Sequence, residues 1–164
     1  MSILQEYEEN EKILGMGRIK AIEDYINYCK NNGVDILYSD IVYKQNEYEM
    51  FDKWFKNEIE PFHIVNHMDK CYSLILNYVD FDKNNFSNKF YVNGYDYEDL
   101  IKSYVSNKLN HLESELNFDS ENGMFAVSSK DIKVIEELAY CFNKDSKDKD
   151  YMKSLLQDKE LGYE

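Results

Sequence analysis

The sequence predicts an α+β fold, with an antiparallel sheet of about four strands packed against helices and a helical N-terminal extension. Before Pro61 the apolar residues recur three and four positions apart, which is typical of helices, and after it they alternate with polar residues, which is typical of strands. Pro61 is the only proline of the chain, and the residue before a proline avoids the helical region. We therefore expect residues 1–60 to form a mostly helical segment packed on the main domain, and residues 61–164 to form the α+β domain.

The N-terminal segment contains two predicted helices. The first has one apolar face, made of Ile19, Ile22, Tyr25, Ile26 and Cys29. It should end at Asn31-Asn32-Gly33, because glycine readily takes the left-handed conformation that closes a helix. The second should run from Asn46, which with Glu49 resembles a capping box, to Pro61. Its apolar stripe is Tyr48, Phe51, Phe55 and Ile59. Between the two helices, residues 34–43 alternate and predict a short strand or an extended loop.

The four strands are expected as two hairpins. Residues 62–79 form the first, with a polar break at Met68-Asp69-Lys70. Its second strand, residues 72–79, has apolar side chains on both faces and is therefore expected near the centre of the sheet. The second hairpin joins Leu116 and Phe118 to residues 124–127 through a turn at residues 119–123, in which Gly123 is able to take a positive φ.

Three further helices are predicted in the main domain. After a polar loop at residues 80–93, anchored by Phe86, Phe90 and Tyr91, Asp96 caps the first of them. Its apolar stripe is Tyr97, Leu100, Ile101, Tyr104, Val105, Leu109 and Leu112. Ser128 or Ser129 caps the second helix. Its inward face is Ile132, Ile135, Leu138, Ala139 and Phe142. A charged break at residues 143–150 precedes a last short helix with Tyr151, Met152, Leu155 and Leu156.

The charge of the chain bears on its partners. Lys and Arg number 19 against 32 Asp and Glu, which gives a formal net charge of −13, and Arg18 is the only arginine. Binding to nucleic acid or to an anionic membrane needs clustered cations, so both are disfavoured. A basic protein partner is favoured, because an acidic surface speeds the encounter with it, although solubility alone accounts for such a charge equally well.

The sequence also bears on location. We find no apolar run near the ~18 residues of a membrane helix and no signal-peptide core at the N-terminus, so we expect a cytoplasmic protein. Cys29, Cys71 and Cys141 are isolated and odd in number, which favours reduced thiols over disulfides or a zinc site.

No pattern of residues predicts a catalytic residue, a metal site or a cofactor. His63 and His67 are four apart on a predicted strand, which separates them by ~13 Å. Asp80, Asp82 and Asn84 imitate the first ligands of a calcium loop, but the glycine and the final acid of that loop are missing. Asp119 and Glu121 are the carboxylate pair on which an alternative function, a small hydrolase, would depend.

Tyrosine and acidic residues together predict a binding surface. One core of this size cannot bury all 15 tyrosines with their hydroxyls satisfied, and tyrosine is common at interfaces. The densest cluster of both residue types is Tyr91 with residues 95–99, where Tyr97 could instead face the core. The predicted partner interface is Asp80, Asp82, Tyr95, Asp96, Glu98 and Asp99.

Residues 61–160 resemble the immunity protein 51 family of bacterial polymorphic-toxin systems. The resemblance rests on the hairpin at 62–79, a helix opened by residues 93–100, and a helix after Ser128-Ser129-Lys130-Asp131. Its most specific part is residues 116–125, similar to the signature Phe-Asp-x-Glu-(small)-Gly-Met-Phe, with Asn122 in place of the small residue.

The resemblance implies a cytosolic antidote that binds and blocks a cognate toxin and catalyses nothing. Such toxins are often nucleases or other enzymes, and an acidic surface could occupy the basic cleft of a nuclease. Residues 1–60 lie outside the resemblance. The alternatives are the small hydrolase that would use Asp119 and Glu121, and an acidic regulator that mimics nucleic acid and has no toxin partner.

Overall fold

The computed structural model describes residues 16–33, 50–67, 71–86 and 91–156. Its helices are α1 (Met16–Asn31), α2 (Met50–Glu58), α3 (Gly94–Lys108), α4 (Ile132–Asp145) and α5 (Lys149–Leu155). Its strands are β1 (His63–His67), β2 (Cys71–Asn77), β3 (Asn117–Phe118) and β4 (Met124–Ser129), and short 3-10 turns cover Tyr78–Asp80, Lys83–Phe86 and Asn110–Glu115. The features predicted at residues 34–49, at Met68-Asp69-Lys70 and at Phe90 lie outside the described residues.

The four strands form one antiparallel sheet in the order β1-β2-β4-β3, which confirms the predicted α+β class. Strand β2 lies between β1 and β4, as its two apolar faces predict. Leu74 pairs with Val127 and Leu76 with Phe125, and all four side chains are buried. This face of the sheet therefore forms the floor of the core.

Helices α3 and α4 pack on β2 and β4 and close the core. On α4 the predicted inward residues Ile135, Leu138, Ala139 and Phe142 are buried, whereas Ile132, at the start of the helix, is half-buried. Leu109 and Leu112 continue the buried stripe of α3 through the 3-10 turn that follows it.

Helices α1 and α2 contribute to the same core. Tyr25 of α1 and Phe55 of α2 are buried, and the Phe55 ring stacks on Tyr140 of α4 with centroids 5.7 Å apart. The end of α1 is as predicted, because Gly33 takes a φ of 65° just after it. The division of the chain into residues 1–60 and 61–164 stays a prediction.

Several predicted element ends are wrong, and local hydrogen bonds explain each difference. The N-cap of α3 is Asn93, not Asp96, which lies at the third helical position. The N-cap of α4 is Asp131 rather than Ser128 or Ser129, because its carboxylate accepts from the backbone N–H of Lys133. Ser129 instead accepts from the backbone N–H of Asp131.

The end of β2, the conformation of Gly123 and the start of the last helix also differ from the sequence predictions. Strand β2 ends at Asn77, because Tyr78 opens a 3-10 turn in which the backbone N–H of Phe81 donates to Tyr78 O. The bond from the Tyr78 N–H to Gly123 O is the last one in the ladder between the two chain segments. Gly123 does not have a positive φ. The last helix begins at Lys149, within the predicted charged break, because Asp148 caps it.

Candidate functional site

Three segments of the chain meet at the turn between β3 and β4. The backbone N–H of Tyr78 donates to Gly123 O at 3.0 Å, and that of Gly94 donates to Asn122 O at 2.9 Å. The turn is closed by Glu121, whose N–H donates to Met124 O at 2.8 Å. We call the surface formed by residues 78–82, 91–99 and 119–124 the turn face.

The start of α3 lies directly against this turn. A Cβ atom on Gly94 would come 2.0 Å from the backbone oxygen of Glu121 and 2.3 Å from that of Met124, so only glycine fits here. The two sequence segments with the strongest family resemblance are therefore in backbone contact with each other.

A capping box fixes the first turn of α3. The Asn93 side chain accepts from the N–H of Asp96 at 3.0 Å, and the Asp96 carboxylate accepts from the N–H of Asn93 at 2.8 Å. Asp96 is only 5% exposed. Its carboxylate thus orders the turn face from below and contributes little to its outer surface.

Large apolar side chains are exposed on the turn face. Tyr78 is 68% exposed, Val79 69%, Tyr91 61% and Tyr95 51%. Among the large hydrophobic side chains of the described residues, Tyr28 on α1 is the only other one exposed to this degree. The Tyr91 hydroxyl accepts from the Asn122 side chain at 3.5 Å, which connects this ring to the turn. Exposed aromatic residues are thus concentrated on one surface rather than scattered.

The turn face carries seven carboxylates and no lysine or arginine. They are Asp80, Asp82, Asp96, Glu98, Asp99, Asp119 and Glu121. Lysines from outside the face pair with two of them: Lys149 with Asp82 at 2.6 Å and Lys102 with Glu98 at 3.3 Å. Asp80, Asp119 and Glu121 are exposed. These three residues give the outer rim of the turn face a negative charge.

Tyr97 holds the segment at 78–86 against α3. Its ring lies 5.1 Å from that of Phe81 and 5.2 Å from that of Phe86, and its hydroxyl accepts from the backbone N–H of Asp82 at 2.5 Å. Burial raises the pKa of Tyr97 to about 12, so the hydroxyl stays protonated at neutral pH. Tyr97 therefore faces the core, the alternative that the sequence left open.

A cleft of about 320 Å³ opens beside the turn face. Asp80, Asp82 and Tyr97 line one side of it, and Pro61 and Asn143 line another. The cleft and the turn face therefore have Asp80, Asp82 and Tyr97 in common.

The six residues of the predicted interface lie on two of the three segments that form the turn face, although the interface itself stays a prediction. Asp80 and Tyr95 are exposed, Asp82, Glu98 and Asp99 are half-buried, and Asp96 is buried. The sequence did not indicate that Tyr78 and Val79 are exposed on the same face, because their alternation continues the strand pattern. The turn predicted at 119–123 could have indicated their exposure, because it limits how many residues of β2 can pair with β4.

The histidines, the carboxylate pair and the cysteines singled out in the sequence do not form a ligand cluster or a catalytic group among the described residues. His63 and His67 are exposed at the two ends of β1, where His67 Nε2 lies 2.9 Å from Ser73 Oγ. Asp119 and Glu121 are exposed in the turn. Within the described ranges, no group of three or more histidine, cysteine or acidic side chains is placed to hold a metal ion. Cys29, Cys71 and Cys141 form no disulfide with one another, and Cys29 is buried.

No helix in the part of the chain that the structure describes combines the length and apolarity needed to cross a bilayer.

Comparison with known proteins gives one match. The family model of immunity protein 51 matches residues 62–161, which include the sheet, the turn face and helices α3 to α5. No curated protein and no solved structure matches the chain. Because the family model covers more than half of the 164 residues, the chain belongs to the immunity protein 51 family.

Proposed function

We propose that this protein is a cytoplasmic antidote that binds a cognate bacterial polymorphic toxin and neutralises it without catalysis. Membership of the immunity protein 51 family over residues 62–161 is the observation that carries the proposal. The net charge of −13 supports a toxin with a basic surface, for which a nuclease cleft is one example.

The proposed mechanism is occlusion. The acidic rim of the turn face attracts the toxin, and contact with it covers the toxin surface that substrate needs. Asp80, Asp82, Tyr95, Glu98 and Asp99 take part in this contact, and Asp96 keeps the helix start in place. No cofactor takes part.

The test is co-expression with the C-terminal domain of a toxin encoded by a gene next to that of this protein. We expect the toxin domain alone to stop growth of a bacterial host and co-expression to restore it. The two proteins should co-purify as a one-to-one complex in size-exclusion chromatography with light scattering. Continued growth arrest and no complex would refute the proposal.

A double variant, D119N with E121Q, distinguishes occlusion from the hydrolase alternative. Both carboxylates are exposed in the turn, so their amides should leave the fold intact. Under the proposal the double variant associates more slowly, because two carboxylates of the rim are lost, but it still forms the complex and still restores growth. Loss of rescue with the complex intact would favour catalysis by this pair.

A further inference from the structure

We infer that the turn face is the toxin-binding surface, that Tyr78, Val79, Tyr91 and Tyr95 are its energetic centre, and that its partner presents a lysine- and arginine-rich surface. The inference rests on the proposed function and adds to it the exposed apolar side chains that dominate the contact and the local reason for a basic partner at this face. Among these four residues, only Tyr95 belonged to the interface predicted from the sequence.

Exposed apolar side chains are concentrated on the turn face. Each of the four is more than half exposed, and backbone or side-chain hydrogen bonds connect their segments to the turn at Glu121–Met124. Exposed apolar side chains gathered on one face of a monomer mark interaction sites, and tyrosine is enriched among the residues that dominate binding energies. A tyrosine ring gives a large contact area at a small cost in side-chain entropy.

The second argument is that the face is already ordered in the free protein. Gly94 fixes the distance between α3 and the turn, the Asn93–Asp96 capping box fixes the helix start, and Tyr97 fixes the 78–86 segment. A preordered surface loses little conformational entropy when it binds, so its contact area contributes more to affinity.

The third argument identifies the chemistry of the partner. The face has exposed carboxylates at Asp80, Asp119 and Glu121 and no lysine or arginine of its own. Lysine and arginine side chains complement this face in two ways. Their charges pair with the rim carboxylates, and their apolar stems and the guanidinium planes of arginine pack on the tyrosine rings. An acidic or purely apolar partner would leave the rim carboxylates desolvated without counter-charges.

The decisive experiment measures binding of an inactivated form of the same toxin domain to full-length variants of this protein. We expect Y91A with Y95A to raise the Kd at least about tenfold, and Y78A to raise it about fivefold or more. Y28A is the matched control, because Tyr28 is 48% exposed but lies on α1, and it should leave the Kd within about twofold. Thermal midpoints within about 2 °C of the wild-type value show that these variants are folded.

A matched pair of charge reversals tests the rim. Glu121 and Glu115 are both exposed, but Glu115 lies two residues before Asn117, which pairs with Ser128 at the end of β4 away from the turn. E121K should slow association several-fold at low salt and reduce its salt dependence, whereas E115K, with the same change in net charge, should do so much less.

The outcomes separate the two claims. A complex with the wild type that is equally tight with Y78A and with Y91A/Y95A would overturn the inference and leave the proposed function standing. Equal effects of E121K and E115K would overturn the assignment of a basic partner surface to this face. Failure of the wild type to bind the toxin domain would overturn both.

Discussion

Gly94 is the residue on which the shape of the turn face depends most directly. The missing side chain lets the start of α3 approach the backbone oxygens of Glu121 and Met124 more closely than any Cβ atom allows. Gly123 differs from Gly94, because nothing lies within 4 Å of a Cβ atom placed on it. Two glycines of the same surface therefore have different roles, one in packing and one at an open position.

We expect Gly94→Ala to lower the free energy of unfolding by at least about 2 kcal/mol, because the helix start must move away from the turn or the turn must open. Gly123→Ala is the control and should change it by no more than about 1 kcal/mol. Urea unfolding of both variants measures the difference. Equal stability of the two would show that α3 and the turn are not in the contact described.

The docking of α1 on α4 shows how an element outside the family match joins the core. The Tyr140 hydroxyl of α4 donates to Asp24 Oδ2 of α1 at 2.5 Å, and Lys144 of α4 pairs with the same carboxylate. The Trp54 ring of α2 lies 5.5 Å from Tyr25 and 6.2 Å from Tyr140. The family match begins at residue 62, so α1 and α2 add their own apolar and polar contacts to the matched domain.

Removal of the Asp24 carboxylate should loosen this contact. We expect Asp24→Ala to lower the free energy of unfolding by about 1–2 kcal/mol, because the partly buried Tyr140 hydroxyl and Lys144 lose a shared acceptor. Glu23→Ala, at the exposed neighbouring position, also replaces an acidic helix residue with alanine and should be neutral within about 0.5 kcal/mol. Chemical denaturation followed by tryptophan fluorescence suits the measurement, since the single tryptophan, Trp54, contacts this site. Equal stability of the two variants would argue that α1 is held by apolar contacts alone.

The elements themselves could be predicted because each has a strong hydrophobic period. The stripe that begins at Tyr97 correctly predicted α3, although its last two residues, Leu109 and Leu112, lie beyond the end of the helix, and the alternation in β2 correctly predicted a central strand. The first and last residues of the elements could not be predicted as well. Several residues within a few positions of each end are able to cap it, and contacts with other parts of the fold determine which of them does so. Asn93 and Asp96 cap α3 reciprocally, and the 3-10 turn at Tyr78–Asp80 ends β2.

For the candidate site, the local composition could be read from the sequence, but the contacts between distant segments could not. It indicated an acidic, tyrosine-rich surface near residues 80–99, because composition is a local property. It could not show that the turn at 119–123 lies between Tyr78 and Gly94, since these contacts join residues that are 28 and 45 positions apart along the chain. It also counted Asp96 among the interface residues, whereas the capping box buries this carboxylate.

At the scale of the whole molecule, buried tyrosine hydroxyls connect the helices. Tyr97 joins α3 to the segment before it, Tyr104 of α3 donates to Asp145 of α4 at 2.6 Å, and Tyr140 of α4 donates to Asp24 of α1. Burial, reinforced for Tyr104 and Tyr140 by their carboxylate partners, raises the pKa of each hydroxyl above its ordinary value. The fold therefore depends on these tyrosines remaining neutral.

This dependence predicts a loss of stability at alkaline pH. Below pH 10 the tyrosines are protonated in both the folded and the unfolded state, and their contribution to stability is complete. Between pH 10 and 12 the unfolded chain loses the proton of Tyr97 while the folded protein, in which the pKa is about 12, retains it, so unfolding becomes more favourable. At pH 11 this residue alone should lower the free energy of unfolding by about 1.4 kcal/mol.

The Tyr97→Phe variant isolates this contribution from the other groups that titrate in the same range. Its stability at pH 8 will be lower, because the hydrogen bonds to Asp82 are lost. Between pH 8 and pH 11, however, it should lose about 1.4 kcal/mol less than the wild type does, as measured by urea unfolding at both pH values. Equal losses in the two proteins would mean that the Tyr97 hydroxyl ionises as easily in the folded state as in the unfolded one. The ring could then not be buried between Phe81 and Phe86, and the segment that carries Tyr78 and Val79 would lack its anchor on α3.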